Sequence, residues 1–375
     1  MGKSKSSLEG MVMIFPHDVV KDDLAYIAET ADSELSSMAG TKLLLTGAGG
    51  FLGYYFIWAI AYWNEHHPKE KISLTAVSRF GGGVPSWLSA LAGNDLNVLS
   101  RDVTKDPFLD GGPYDFIIHA ASFASPMVYR QYPIETMTAN VLGLYRILEQ
   151  LAKTKPSLAK LKKLLYFSSS EIYGDPPSDW IPTPEDYRGN VSCTGPRACY
   201  DESKRFCETV CVNYVRVHGI PIVTVRPFNN YGPGMKITDG RVIADFSRNI
   251  LAGKDIAMYS TGTPSRTFCY VADAIVGYFK ALVKGESGEA YNIGIQSPEV
   301  SVGDLANKLV VMGQKHFGYK GHIRNAVSRD SQYLTDNPQR RCPSIQKAKE
   351  ALGYAPTVSL DEGLYRTLLW YKAVT

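Results

Sequence analysis

Residues 42–53 read Lys-Leu-Leu-Leu-Thr-Gly-Ala-Gly-Gly-Phe-Leu-Gly, and the fold is decided here. Leu43, Leu44 and Leu45 form a short apolar run of the kind a strand shows when both faces of its sheet are covered. Gly47, Gly50 and Gly53 break that run in a GxxGxxG spacing, and an apolar stretch of helical length follows over residues 51–63. Glycines between a strand and a helix allow a tight turn and let backbone amides approach a pyrophosphate. No charge occurs between Lys42 and Glu65, a length that nominally spans a bilayer. The glycine break divides it instead into a strand and a buried helix.

Outward from this unit, apolar runs at residues 72–77, 96–99, 115–120, 164–168 and 222–226 read as further strands, with helical stretches at 134–153 and 201–218 between them. Strand and helix in alternation imply α/β architecture: a Rossmann-type, doubly wound parallel sheet with helices on both faces. Residues 1–40 read as an N-terminal accessory helical extension, acidic from Asp18 to Glu34, with Leu24, Ile27 and Ala28 on one helical face. A dinucleotide-binding domain is expected over 41–228. Residues 229–375 are expected to form mainly a smaller substrate-binding α/β domain, with some segments returning to the first. In that part Gly- and Pro-punctuated loops separate helices near 241–251, 302–317 and 360–371 and a strand near 290–293.

Composition narrows the class. The chain has 375 residues, 45% hydrophobic and 21% charged, which suits a soluble globular protein of about two domains. Forty Lys plus Arg against 37 Asp plus Glu leave a net charge of +3 with no basic block, which argues against a nucleic-acid partner. The six cysteines, at 193, 199, 207, 211, 269 and 342, show neither CxxC spacing nor histidines at zinc-ligand spacing. Reduced thiols, no metal and a cytoplasmic setting are expected, with Cys207 and Cys211 as small buried apolar residues. The apolar run from Met11 to Phe15 is too short for a secretory core and is closed by Pro16.

Tyr200 and Lys204 stand four apart at a helix start and so share a face. A phenol titrates near pH ~10 and is a poor base at neutrality, but a neighbouring ammonium favours the phenolate. Upstream, Ser168, Ser169 and Ser170 close a strand and Glu171 follows, at a strand's carboxyl end where ligand sites gather. Asp102 and Val103, past the third strand, are placed for the adenine side of a dinucleotide, with a helix cap as the alternative for Asp102. After the second strand an NAD enzyme usually offers an acidic residue to the ribose, whereas Ser78 and Arg79 stand here. Ser78 cannot repel a phosphate and Arg79 can bind one, which makes NADP an option beside NAD; alternatively Arg79 stacks on adenine or points to water.

From Thr41 to near the C-terminus the chain resembles the extended short-chain dehydrogenase/reductases that act as nucleotide-sugar epimerases, dehydratases and decarboxylases, and among them most resembles the UDP-glucuronate decarboxylases. The matching stretches are Ala121-Ser122, Ala124-Ser125-Pro126 with Tyr129, 170–176, 195–202, 228–233, 239–242, 265–268 and 337–341. The resemblance implies catalytic roles for Tyr200, Lys204, Ser169, Ser170, Glu171 and Arg266. It implies cofactor binding by Gly47, Gly50, Phe51, Leu52, Gly53, Ser78, Arg79, Asp102, Val103, Ala120, Ala121, Ser122, Tyr200 and Lys204. Nucleotide-sugar binding falls to Ser125, Tyr129, Arg197, Asn229, Arg241, Arg266 and Arg341. Three positions depart from the pattern: Ser78 for an acidic residue, Gly234 for an arginine and Ser344 for an aspartate. A 4,6-dehydratase of this group carries an aspartate before the glutamate as general acid, a task Ser170 cannot perform.

The expected reaction is oxidation at C4 of UDP-glucuronate, loss of carbon dioxide and hydride return to give UDP-xylose, with Glu171 and Arg266 orienting the uronate. The alternative is 4-epimerisation without decarboxylation. A silent dinucleotide-binding regulator would be expected to lose Tyr200 and Lys204, which are both present. A homodimer is expected through the helices near 134–153 and 201–218, from Leu144, Leu148, Val210 and Tyr214.

Overall fold

The computed structural model describes residues 17–109, 111–154, 159–328, 332 and 334–375; the Met11 to Phe15 run lies outside them. Seven strands, β1 (Lys42–Thr46), β2 (Ser73–Ser78), β3 (Leu96–Ser100), β4 (Phe116–His119), β5 (Lys163–Phe167), β6 (Ile222–Pro227) and β7 (Ala290–Ile293), form one sheet. Its order is β7-β6-β5-β4-β1-β2-β3 and every pairing is parallel. The order reverses between β1 and β4, so a crevice opens at their carboxyl ends, where doubly wound sheets bind ligands. Leu43, Leu44 and Leu45 are fully buried, as a strand covered on both faces requires.

Helices α1 (Asp18–Thr30), α2 (Asp32–Ser37), α3 (Phe51–His66), α4 (Pro133–Lys153), α5 (Ala198–His218), α6 (Val271–Lys284) and α7 (Leu360–Val374) cover the sheet and its flanks. Among the described residues no helix is long and apolar enough to cross a membrane. The expected strands and helices all occur within a few residues of their predicted ends, and β7, from the C-terminal part, joins the main sheet beside β6. Helix α6 was not expected. Twelve of its 14 residues are buried, Asp273 and Lys280 among them.

The described part of the N-terminal extension, residues 17–40, holds two helices, and it ties distant elements together. Asp23 of α1, fully buried, accepts hydrogen bonds from Tyr55 Oη on α3 at 2.7 Å, Tyr270 Oη at 2.8 Å and Arg366 Nη1 on α7 at 3.0 Å. Burial pushes its carboxyl up to about 6 even so. Glu34 of α2, also buried, pairs with Lys280 at 3.4 Å and Lys284 at 2.5 Å on α6. Two acids from one short segment thus join α3, α6 and α7.

Beyond the sheet, a small strand at Ser265–Arg266 is flanked by Val300–Ser301 and, in parallel, by Arg340–Arg341. The register sets Arg341 beside Arg266 at the crevice.

Asp23→Ala would leave two buried hydroxyls and the Arg366 charge without their shared acceptor. Losing one partner of such a buried group costs about 3 kcal/mol. Urea unfolding is expected to show a loss of that size; a change below about 1 kcal/mol would show that the clamp contributes little.

Candidate active site

The crevice is a cavity of about 360 Å³ at the switch point between β1 and β4. Its floor is the glycine turn, and here the absence of side chains is obligatory. Gly47 has φ +80°, and a Cβ on it would stand 2.6 Å from the Ala120 carbonyl oxygen at the end of β4. A Cβ on Gly53 would stand 2.5 Å from the Gly47 carbonyl oxygen and 2.7 Å from that of Ala48. Only bare backbone lets α3 start this close to β1. Gly50 caps α3 with no side-chain hydrogen bond, so amides of the first turn are left for a ligand. Phe51, Leu52 and Ala120 line the cavity with the three glycines. This cradle fits a dinucleotide pyrophosphate, bound by Gly47, Gly50 and the first amides of α3.

Ser168, Ser169 and Ser170 continue from β5 along the cavity wall. Ser169 accepts from the Glu171 amide at 3.2 Å, which caps a short 3₁₀ turn over Ser170–Tyr173. Its hydroxyl also hydrogen-bonds the Tyr200 phenol. The Tyr200 ring stacks on Tyr129, with centroids 5.0 Å apart and planes at 14°. Burial pushes the Tyr200 phenol up to about 12, against the lowering effect of Ser169. Lys204 shares the face of Tyr200, as expected. Its Nζ donates to the Phe167 carbonyl oxygen at 2.7 Å and lies 5.8 Å from the Tyr200 ring centroid, and burial draws it down to about 8. Ser169 is therefore the direct partner of Tyr200, Arg241 lowers the phenol through its charge, and Lys204 stands beside the ring without bonding its hydroxyl.

The rest of the wall is an ion cluster. Glu171 accepts from Arg197 Nη2, from Arg341 Nη1 and, at 2.7 Å, from Arg341 Nη2. Burial works to raise its carboxyl, but the Arg197 and Arg341 charges outweigh it and hold Glu171 low. Arg197 Nε also faces Asp201 at 3.6 Å, and burial together with the Glu171 charge pushes Asp201 up. Arg266, 8% exposed, donates to the carbonyl oxygens of Ser265 at 2.7 Å, Pro338 at 2.5 Å and Gln339 at 3.1 Å, and to Asn337 Oδ1 at 3.3 Å. All four acceptors are neutral. Burial and the Arg341 charge draw Arg266 down to about 9, which leaves it cationic at neutral pH. Three guanidinium groups thus face one firmly ionised carboxylate, Glu171, with Asp201 biased toward its neutral form. An anion entering the cavity meets net positive charge.

Several expected residues lie at the edge of this constellation. Ser125 is not in the cavity wall; its hydroxyl donates to the Asp239 carbonyl oxygen at 2.8 Å, while Ala124 and Pro126 line the space. Asn229 and Arg241 do line it; Asn229 donates to the Thr267 carbonyl oxygen at 2.8 Å and Arg241 Nε reaches Asp239 at 2.5 Å. Ser122 lines it and donates to Asn140 Oδ1 at 2.7 Å, while neighbouring Ala121 lies outside the wall. Val103 is buried in the core beneath α4. Asp102 turns one oxygen to Thr104 N at 2.9 Å and Thr104 Oγ1 at 2.7 Å, capping a turn rather than a helix. Ser78 and Arg79 stand at the end of β2, outside the main cavity. At Gly234 the backbone has φ +83° and a Cβ would meet the Tyr54 ring at 2.8 Å, so no arginine fits there.

Sequence reasoning missed His119 and the cavity residues Phe246 and Tyr259, and gave no role to Asn230, Tyr231 and Asn337, which lie in the matching stretches 228–233 and 337–341 and also line the cavity. His119 ends β4, is bonded to Thr46 Oγ1 at 2.8 Å, and burial with the Lys204 charge draws it down to about 3, so it sits neutral under the site. No local spacing marks His119, Phe246 or Tyr259, since long-range packing brings them to the site.

A family model described as NAD dependent epimerase/dehydratase family matches residues 43–294. UDP-glucuronic acid decarboxylase 6 of Arabidopsis thaliana is 35% identical over 324 residues, covering 86% of this chain and 86% of that protein. UDP-glucuronic acid decarboxylase 1 of Xenopus tropicalis is 33% identical over 342 residues, covering 90% of this chain and 74% of that protein. Among solved structures, UDP-glucuronic acid 4-epimerase from Bacillus cereus, with UDP-glucuronic acid and NAD, aligns with TM-score 0.70 at 24% identity, covering 89% of this chain and 100% of that one. UDP-glucose 4-epimerase from Thermotoga maritima gives TM-score 0.74 at 22% identity, covering 89% and 99%. At these identities the two structures share the fold.

Proposed function

Since the chain belongs to the NAD dependent epimerase/dehydratase family, we propose that it decarboxylates UDP-glucuronate to UDP-xylose through a 4-keto intermediate. One observation carries this reading: Arg266 is a buried guanidinium whose hydrogen-bond acceptors are all neutral, in the wall of a cavity where positive charge exceeds negative. A uronate carboxylate supplies the missing charge. A neutral hexose does not.

Bound NAD supplies a hydride acceptor at the sugar's C4, a positive charge, and later the returning hydride. Tyr200 takes the proton of the 4-hydroxyl, with Ser169 holding the phenol in place and the Lys204 charge favouring the phenolate. The 4-ketone then lies β to the carboxylate. When the C5–C6 bond breaks, carbon dioxide leaves and the electron pair forms an enolate with its charge on O4. The Tyr200 proton and the Ser169 hydroxyl stabilise that charge. C5 takes up a proton from solvent water, and O4 recovers its own proton from Tyr200 as the hydride returns to C4. Arg266, with both Nη groups donated to the chain, attracts the carboxylate by its charge up to the moment of cleavage. The geometry supports a different part for Glu171 than the one expected: with both oxygens engaged it positions Arg197 and Arg341 and cannot itself hold a uronate.

Proton NMR of a reaction with UDP-glucuronate should show UDP-xylose and released carbon dioxide. Arg266→Ala should lower kcat at least about 100-fold while cofactor stays bound, and Tyr200→Phe should abolish turnover. Accumulation of UDP-galacturonate without carbon dioxide would replace decarboxylation by epimerisation.

The Lys204 value sets a pH limit. A buried ammonium titrating near 8 is charged below that pH and neutral above it. Support for the phenolate is therefore present at low pH and lost as pH rises through about 8. Initial rates are expected to fall above that point, and a profile level to pH ~10 would contradict the assigned role.

The reading includes a cytoplasmic homodimer, supported by six free thiols and by the outer faces of α4 and α5. Leu144, Leu148 and Val210, from which a dimer was expected, are buried within the chain, and Tyr214 is bonded to Glu149 at 3.1 Å. The exposed apolar residues are Ile134, Met137 and Leu142 on α4 and Phe206 and Val217 on α5. Covering them calls for the matching helices of a second copy. Light scattering should give twice the chain mass, and Phe206→Glu with Ile134→Glu should give a monomer; a monomeric wild type would remove the dimer.

A further inference from the structure

In a parallel dinucleotide fold the carboxyl end of the second strand meets the adenosine ribose. A carboxylate there hydrogen-bonds the ribose hydroxyls and repels a phosphate on the 2′ oxygen, whereas an arginine accommodates that phosphate. Here β2 ends on Ser78, followed by Arg79, and no acidic residue occurs between Glu70 and Asp95. Asp95 precedes β3, at the opposite end of the sheet, and pairs with Lys71 at 2.6 Å.

Three contacts make the end of β2 a formed surface. The Ser78 hydroxyl abuts the glycine turn, since a Cβ on Gly49 would lie 3.0 Å from Ser78 Oγ. The Arg79 guanidinium lies over the Phe123 ring at 4.6 Å, which bridges the ends of β2 and β4 across that turn. The Arg79 backbone is held in turn by Ser100 Oγ, which donates to its carbonyl oxygen at 3.0 Å. The acid after β3, Asp102, engages one oxygen on its own turn at Thr104, and the Arg79 charge helps to hold its carboxyl low, so the guanidinium lies between this acid and the ribose end of β2. The cation is thus positioned by stacking on an aromatic face, and it meets a phosphate with little further ordering cost.

We propose that Ser78 and Arg79 form a 2′-phosphate subsite, so that this chain binds NADP at least as well as NAD. The inference rests on the dinucleotide cleft of the proposed function and is independent of the sugar. A charge-assisted guanidinium–phosphate contact provides the attraction, and Ser78 removes the repulsion.

Isothermal titration of the full chain with NAD and with NADP separately, without sugar, tests it. The NADP Kd should be within threefold of the NAD Kd or tighter. Arg79→Ala, an exposed position, should weaken NADP at least tenfold and NAD less than threefold. Ser78→Asp should weaken NADP at least tenfold and leave NAD the preferred ligand. An NADP Kd more than threefold weaker than that of NAD in the unaltered chain, or an Arg79→Ala change that weakens both alike, overturns the subsite. If NAD binds tightly and UDP-glucuronate is turned over, the proposed function survives that outcome. If neither dinucleotide binds, the cleft assignment fails with the subsite.

Discussion

Much in this molecule depends on a close approach of backbone to backbone. Gly47 lies against the Ala120 carbonyl at the end of β4, and Gly53 lies against the carbonyls of Gly47 and Ala48. Any side chain at these points would force α3 away from β1 or β1 away from β4. Because protein interiors are close-packed, such a displacement would travel through the apolar flanks of α3 to the sheet and to α6. The same absence of side chains leaves the amides of the first turn of α3 open to a ligand. One steric constraint therefore sets both the packing of the sheet and the floor of the cleft.

On that floor, charge decides what each group can do. Tyr200 and Lys204 occur together in the sequence, but both are buried, and burial moves them toward their neutral forms. The site lowers the cost of ionising Tyr200 with the Ser169 hydroxyl and the Arg241 charge, while the Phe167 carbonyl holds the Lys204 ammonium beside the ring. The arginines behave differently, since a guanidinium stays protonated in most surroundings. Glu171 compensates Arg197 and Arg341, and Arg266 rests on backbone carbonyls. A buried cation that the nearby Glu171 and Asp175 charges compensate only in part is costly, and the cost falls when an anionic ligand arrives. That difference favours a uronate over a neutral sugar.

The N-terminal extension shows the same economy with the signs reversed. Its two buried acids, Asp23 and Glu34, gather hydroxyls and cations from α3, Tyr270, α6 and α7. The pairs link the helix that starts at the glycine turn to the helix that ends the chain. Burial raises Asp23 despite three donors, so desolvation outweighs the hydrogen bonds.

What the sequence determined by itself was local. A buried strand is apolar throughout, a tight turn needs glycine, and an amphipathic helix repeats at 3.6 residues, so β1, the turn, α4 and α5 were legible within a few residues. Tyr200 with Lys204 and the serines before Glu171 were legible for the same reason, since each group lies on one turn or strand end. Tertiary structure alone decided the rest. Helix α6 was not expected, and only the structure shows that twelve of its 14 residues, Asp273 and Lys280 among them, are covered by neighbouring segments. Leu144, Leu148 and Val210 looked available for a partner, yet they fill this chain's own core, because apolar character does not say which surface will cover it. Glu171 looked like a residue that handles the substrate until Arg341, 170 positions away, was seen to occupy both its oxygens. Ion pairs and burial are set by which segments meet, and over such separations that is fixed by the packing of the sheet, not by spacing along the chain.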